Sequence, residues 1–300
     1  MPNELEKLLS PENLLKLGDF TLMCRLAVEG FLAGIHRSLT KGFGGEFQQY
    51  RPYVPGDDLK YVDWKLYARQ GRLNEKVYLE ETEMRCAILV DASASMAYRG
   101  TKASCSKYQY AALLSGCFTY LTRRQGDRPG LFVYADYPLY TTSCGQRCPD
   151  LHQLMRIFEK LSPAKSADHA RAIDEAEAFL GSKRGMVILL SDLWGAEEQL
   201  EAIIRRLRFE QRDVIVCQIL DNDELELPFD STTRFIDSEN GDSIVTAPPV
   251  IRARYHENVR QHLEATRTLC LNNQADYLLA NTLHPFAECL AAYLNKRTKK

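Results

Sequence analysis

Residues 85–96 read RCAILVDASASM, an apolar run that ends in Asp91-Ala92-Ser93-Ala94-Ser95. A short, continuously apolar run of this kind is the mark of a strand buried on both faces of a parallel sheet. Alternate side chains of an extended chain point the same way, so Asp91, Ser93 and Ser95 can converge as the chain curls out of the sheet. All three offer hard oxygen donors suited to Mg²⁺ or Mn²⁺, and none offers the soft ligands that zinc prefers. Neutral hydroxyls also leave a dication under-neutralised and open to an anionic group from outside. The bland alternative is that Asp91 and the serines cap the turn after the strand.

Downstream, MVILLSD ends at Asp192, a second carboxylate at the carboxyl end of a strand. Ligands of open parallel sheets gather outside those ends, near the topological switch point, so Asp91 and Asp192 can face one crevice. Between and beyond them, strand-like and helical stretches alternate regularly. Helices are predicted over 104–125, 150–160, 168–180, 197–209 and 249–273, with a closing helix from Pro285. GLFVYA and YPLYTT form a hairpin, DVIVCQIL and ADYLLA are strands, an acidic loop follows DVIVCQIL, and TRFIDSENGDSIV is a second hairpin. The pattern predicts an α/β fold of three layers, a mainly parallel doubly wound sheet covered on both faces.

Upstream the composition changes near residue 84. Residues 10–35 carry apolar positions at helical spacing, and residues 46–78 are crowded with aromatics and charge. Tyr61, Trp64 and Ala68 share one helical face, and EFQQY and EKVYLE alternate like strands. Aromatics beside arginines can stack bases, but acidic residues in the same stretch repel phosphate, which favours a packed α+β extension over a nucleic-acid surface. The expected domains are therefore 1–83, an N-terminal region packed on the next domain, and 84–300.

The 300 residues carry 38 Lys and Arg against 40 Asp and Glu, a formal charge of −2, which gives no global pull on nucleic acid or anionic lipid. The start, MPNELEKLLS, lacks the basic and apolar regions of a secretory signal, and no run is apolar enough for a membrane span. Nine cysteines, mostly single within apolar runs, read as reduced and buried. CGQRC misses the redox spacing and no second pair completes a zinc site. A cytoplasmic protein is expected. Phosphate-loop, nucleophile-elbow and HExxH signatures are absent, and the six dispersed histidines read as surface or capping residues.

DASAS after an apolar strand, with LLSDLWG downstream, resembles the metal-ion-dependent adhesion site of von Willebrand factor type A domains. Gly42-Phe43-Gly44-Gly45-Glu46-Phe47, Arg51-Pro52-Tyr53, Gly56-Asp57-Asp58, Val62-Asp63-Trp64 and Ala68-Arg69 resemble, more specifically, the bacterial family known as domain of unknown function fifty-eight. That family carries such a motif just before a type A domain. The resemblance implies a Mg²⁺ site with Asp91, Ser93 and Ser95 in the first loop and Asp192 in the third. It places Lys165-Ser166-Ala167-Asp168-His169 at the middle loop, with Ala167 where the family has a Thr. Ser166, Asp168 or water would then be the middle ligand. It also implies a non-catalytic binding module working with a MoxR-type AAA+ ATPase or its client, in complex assembly or metal insertion, through the partner's Asp or Glu. Trp194 is a candidate partner anchor. The alternative is a metal-dependent hydrolase or phosphatase centred on Asp91, but Ser93 stands where an aspartyl-phosphate enzyme wants a carboxylate, and no His or Lys is expected nearby as base.

Overall fold

The computed structural model describes residues 11–15, 18–38, 49–52, 64–77, 84–143, 146–181 and 184–298. Its central feature is a six-stranded sheet in the order β10-β7-β6-β3-β4-β5. The strands are β3 (Arg85–Asp91), β4 (Arg128–Tyr134), β5 (Pro138–Thr141), β6 (Gly185–Ser191), β7 (Asp213–Leu220) and β10 (Asp276–Asn281). All neighbours pair in parallel except the edge strand β5, which pairs antiparallel with β4. The chain winds one way through β4 and β5 and then the other way through β6, β7 and β10. The switch point therefore lies between β3 and β6.

The buried residues alternate between two cores, as a doubly covered sheet requires. Cys86, Ile88 and Val90 of β3 join Met186, Ile188 and Leu190 of β6 on one face, while Ala87, Leu89, Val187 and Leu189 enter the other. Helices α2 (Phe20–Ser38), α4 (Lys107–Arg124), α5 (Leu151–Lys160) and α10 (Ala287–Thr298) serve the first face. Helices α6 (His169–Leu180) and α7 (Glu197–Phe209) cover the second, joined by Cys270 near the end of the long α9 (Pro248–Asn272).

Among the described residues, helices and strands form where the periodicity put them, with two differences; residues 46–48 and 78–80 of the two predicted N-terminal strands lie outside the described residues. The acidic loop after β7 contains a short helix, α8 (Asn222–Glu226), which Asp221 and Glu224 cap reciprocally. The N-terminal stretch also divides. Residues 1–35 belong with 84–300, and His36–Glu83 form a separate compact unit. Gly116 on α4 accounts for the first assignment, because a Cβ there would fall 2.6 Å from the Cys24 sulfur and 2.8 Å from the Phe20 ring. Its absence lets α2 lie close against α4, where Cys24 Sγ donates to the Leu113 carbonyl and Tyr120 donates to Glu29.

Within the smaller unit, β1 (Gln49–Pro52) and β2 (Asn74–Val77) pair antiparallel around α3 (Trp64–Gln70). Trp64 is exposed and meets Tyr67 edge to face. The motif residues Gly42–Phe47, Tyr53, Gly56–Asp58 and Tyr61–Asp63 lie outside the described residues, as does Cys144. All described cysteines are buried and free.

Candidate metal centre

β3 and β6 run in register, Val90 beside Leu190, so Asp91 and Ser191 meet at the strand ends. The Ser191 hydroxyl donates to Asp91 Oδ2 at 2.6 Å, and the Ser93 N–H donates to Asp91 Oδ1 at 2.7 Å. Both carboxylate oxygens are thus held, and the residue is only 1% exposed. Asp91 is thus sealed within the fold at its strand end and does not face solvent. Ser93 occupies the N-cap position of the 3-10 turn Ala94–Ala97 but makes no side-chain capping bond there. Its hydroxyl instead lies 3.0 Å from that of Ser95. The two serines converge on one another, which capping does not explain.

Two further loops frame this array. Ala94 N–H donates to the Lys165 carbonyl and Ala164 N–H to that of Ala92, which docks the 164–168 segment against the first loop. Lys165 and Leu193 both hold left-handed backbone, at φ 61° and 59°. Such strain in non-glycine residues collects at functional sites. Within the middle loop Ser166 is exposed, and Asp168 Oδ1 caps α6 by accepting the Arg171 N–H at 3.1 Å. Ala167 packs against the second core. Neither Ser166 nor Asp168 is seen to join the Asp91–Ser93–Ser95 array.

Asp192 is brought to the same place but is already engaged. Lys107 Nζ lies 2.7 Å from Asp192 Oδ2 and 2.7 Å from Glu224 Oε1, with its own side chain wholly buried. Burial works against the Lys107 charge, but the two carboxylates outweigh it and hold the pKa above the ordinary lysine value. The Asp91 carboxyl is pushed up by burial, drawn down by His169, and pushed up again by the Asp192 charge. His169 is buried, with Nδ1 2.8 Å from the Tyr134 hydroxyl. Two expectations are therefore corrected. A Lys and a His do stand near the acidic pair, and His169 is not a surface residue. Lys107 escaped detection because a lysine at a helix start reads as solvated, and His169 because its partner, Tyr134, ends a strand 35 residues earlier.

Trp194 follows in the turn after Asp192, 39% exposed and stacked on His262 at 4.3 Å and 18°. His262 in turn meets the Gln218 amide. The aromatic is therefore fixed from one side and open on the other.

Among the described residues no group of three or more His, Cys, Asp or Glu is arranged to hold a metal. The donors present are two hydroxyls and two carboxyl groups, the set a hard dication prefers. Asp192 and Glu224 share one ammonium and Asp91 stands in the field of Asp192, so the cluster carries more acid than base. The residues fit Mg²⁺ or Mn²⁺ in chemistry and charge.

A doubly wound sheet with an antiparallel edge strand and a D-x-S-x-S loop at its switch point defines the class of von Willebrand factor type A-like domains. The chain belongs, more particularly, to the family described as protein of unknown function DUF58, which matches residues 49–265. It is 27% identical over 228 residues to Rv1480 of Mycobacterium tuberculosis, covering 75% of this chain and 70% of that one. Among solved structures it is similar to BatB from Bacteroides thetaiotaomicron, at 18% identity and TM-score 0.46, covering 72% of this chain and 100% of that one. It is also similar to the VWA domain of SpRpn10, at 11% identity and TM-score 0.41, over 70% and 94% of the two chains. No helix among the described residues is long and apolar enough to cross a membrane.

Proposed function

We propose that this chain is a metal-dependent protein-binding module. Asp91, Ser93, Ser95 and Asp192 would hold Mg²⁺ or Mn²⁺. The supporting observation is the convergence of the Ser93 and Ser95 hydroxyls, 3.0 Å apart, beside a buried carboxylate fixed through both oxygens. When bound, the dication supplies a coordination position that an Asp or Glu of a partner fills. Ser191 and the Ser93 N–H keep Asp91 oriented, and Lys107 neutralises Asp192. The raised pKa of Lys107 keeps it protonated, so it is no general base, which supports binding over turnover.

The partner proposed from the family resemblance is a MoxR-type AAA+ ATPase or its client, met in the cytoplasm during complex assembly or metal insertion. Nucleic acid is not proposed as a partner, because the charge balance gives it no footprint. Titration calorimetry with Mn²⁺ tests the site. Binding by the unaltered chain and none by Asp91→Asn is expected, and equal affinity would refute the assignment. The partner is tested by pull-down from native lysate with and without EDTA. Recovery of the same proteins in EDTA would remove the metal from the contact.

A further inference from the structure

The hairpin β8 (Thr233–Ile236) and β9 (Ser243–Thr246) stands apart from the six-stranded sheet and pairs only with itself. A cleft of about 680 Å³ opens between it, the turn after Asp192, α8 and the first turns of α9. Phe235 stands opposite Ile244 in the ladder, so the two side chains share one face of the hairpin. Both line the cleft, together with Trp194 and Tyr255, and Phe235 is braced edge to face on Phe229 at 5.6 Å. This wall is open to solvent, since Ile244 is 64% exposed and Trp194 and Ile251 are also exposed. Contiguous exposed apolar surface rimmed by polar groups marks a place where another molecule binds.

The rim and floor supply a second, independent feature. Asp223, Glu224, Asp237 and Glu239 line the same cleft, and among the described residues no Lys, Arg or His does. Of the four, only Glu224 meets a base, and it shares that Lys107 ammonium with Asp192. Asp223 accepts the Thr101 N–H and Asp237 the Glu239 N–H, each at 2.8 Å, which holds these carboxylates in place without neutralising them. Apolar walls under an uncompensated negative lining suit apolar side chains that alternate with Lys or Arg. The aromatic rings add to the match, because a guanidinium or ammonium is attracted to their faces. Acidic segments and phosphates are repelled.

We infer that this cleft docks a basic, apolar segment of a partner protein, with aliphatic side chains against Trp194, Phe235 and Ile244 and Lys or Arg beside Asp237 and Glu239. The contact needs no cation, so it stands or falls apart from the metal site proposed above.

Fluorescence anisotropy in EDTA tests the cleft, with a short fluorescein-labelled peptide of alternating leucine and arginine as the probe. A peptide with glutamate in place of each arginine is the control. The unaltered chain is expected to bind the first and not the second. Ile244→Ser and Trp194→Ala should each weaken binding by roughly tenfold, the loss of one interface anchor. Glu239→Lys should weaken it by roughly fivefold at low salt and by less at high salt, as a charge at the rim does. Glu175→Lys, which reverses an exposed charge on α6, should bind as the unaltered chain does. Equal weakening by Glu175→Lys and Glu239→Lys would reduce the attraction to net charge and overturn the docking site, as would an affinity that Ile244→Ser leaves unmoved. Binding of the glutamate peptide would overturn the stated chemistry. Self-association that Ile244→Ser abolishes, with neither peptide bound, would overturn the partner and give the cleft to a second copy of this chain. Mn²⁺ binding is read separately by calorimetry, so the two proposals can fail independently.

Discussion

The Lys107 ammonium and Asp192 Oδ2 lie 2.7 Å apart, with lysine at the first residue of α4. A helix N-terminus disfavours positive charge, and full burial disfavours it further. The position is tenable because Asp192 and Glu224 both face the ammonium.

Removing that ammonium strands two carboxylates. Lys107→Met should cost about 3–5 kcal/mol, the usual penalty for breaking a buried pair from one side. For a domain of this size that lowers the melting temperature by about 2–4 °C per kcal/mol. A divalent cation then becomes the alternative neutraliser, so added Mg²⁺ should raise the melting temperature of Lys107→Met more than that of the unaltered chain. Equal shifts would separate Lys107 from the metal centre.

Asp91 predicts a pH dependence. Its folded-state pKa lies above the ordinary aspartate value, chiefly through burial, so the folded chain holds the proton more tightly than the unfolded one. In EDTA this group's contribution to stability is full below about pH 3.9, the unfolded value, and is lost as pH rises through the folded value. Asp91→Asn should lack that loss. Melting curves in EDTA from pH 4 upward should therefore move progressively in favour of Asp91→Asn, by no more than about 1–3 kcal/mol given the hydrogen bonds that the amide cannot match. A constant difference between the two chains across the range would contradict the raised pKa.

The middle loop offers a gain-of-affinity test. The family resemblance puts Ala167 where a Thr is expected, and Ser166 is exposed. Ala167→Thr should tighten Mn²⁺ binding by roughly fivefold, the equivalent of about 1 kcal/mol for one added polar contact. Ser166→Ala should leave affinity unchanged. The reverse pattern in calorimetry would make Ser166 the ligand of this loop.

Trp194 joins packing to exposure. Trp194→Ala loses the stack on His262 and should cost about 0.5–1.5 kcal/mol of stability. If the open face of Trp194 anchors a partner, pull-down recovery should fall well beyond what the melting curve explains. Recovery that tracks stability alone would assign the residue to packing.

Phosphatase, esterase and nuclease substrates should not be turned over, because the one lysine at the centre is held protonated. A metal-dependent rate that disappears in Asp91→Asn would instead establish the hydrolase reading, with His169 the first residue to examine as base.

Local pattern was enough for the architecture. Continuous apolar strands between amphipathic helices specify a doubly covered sheet, because each element must bury the face it presents. Asp91, Ser93 and Ser95 were legible for a related reason: they are nearly contiguous, and a strand end alone can gather them. Tertiary structure decided everything that depends on which chain segments become neighbours. Lys107 meets Asp192 across 85 residues and Glu224 across 117, joining α4, β6 and α8 at the switch point. His169 finds Tyr134 on β4, and α2 finds Gly116 on α4. Hydrophobic periodicity records burial residue by residue. Charge pairing depends on distance in space, and only the folded chain fixes that distance.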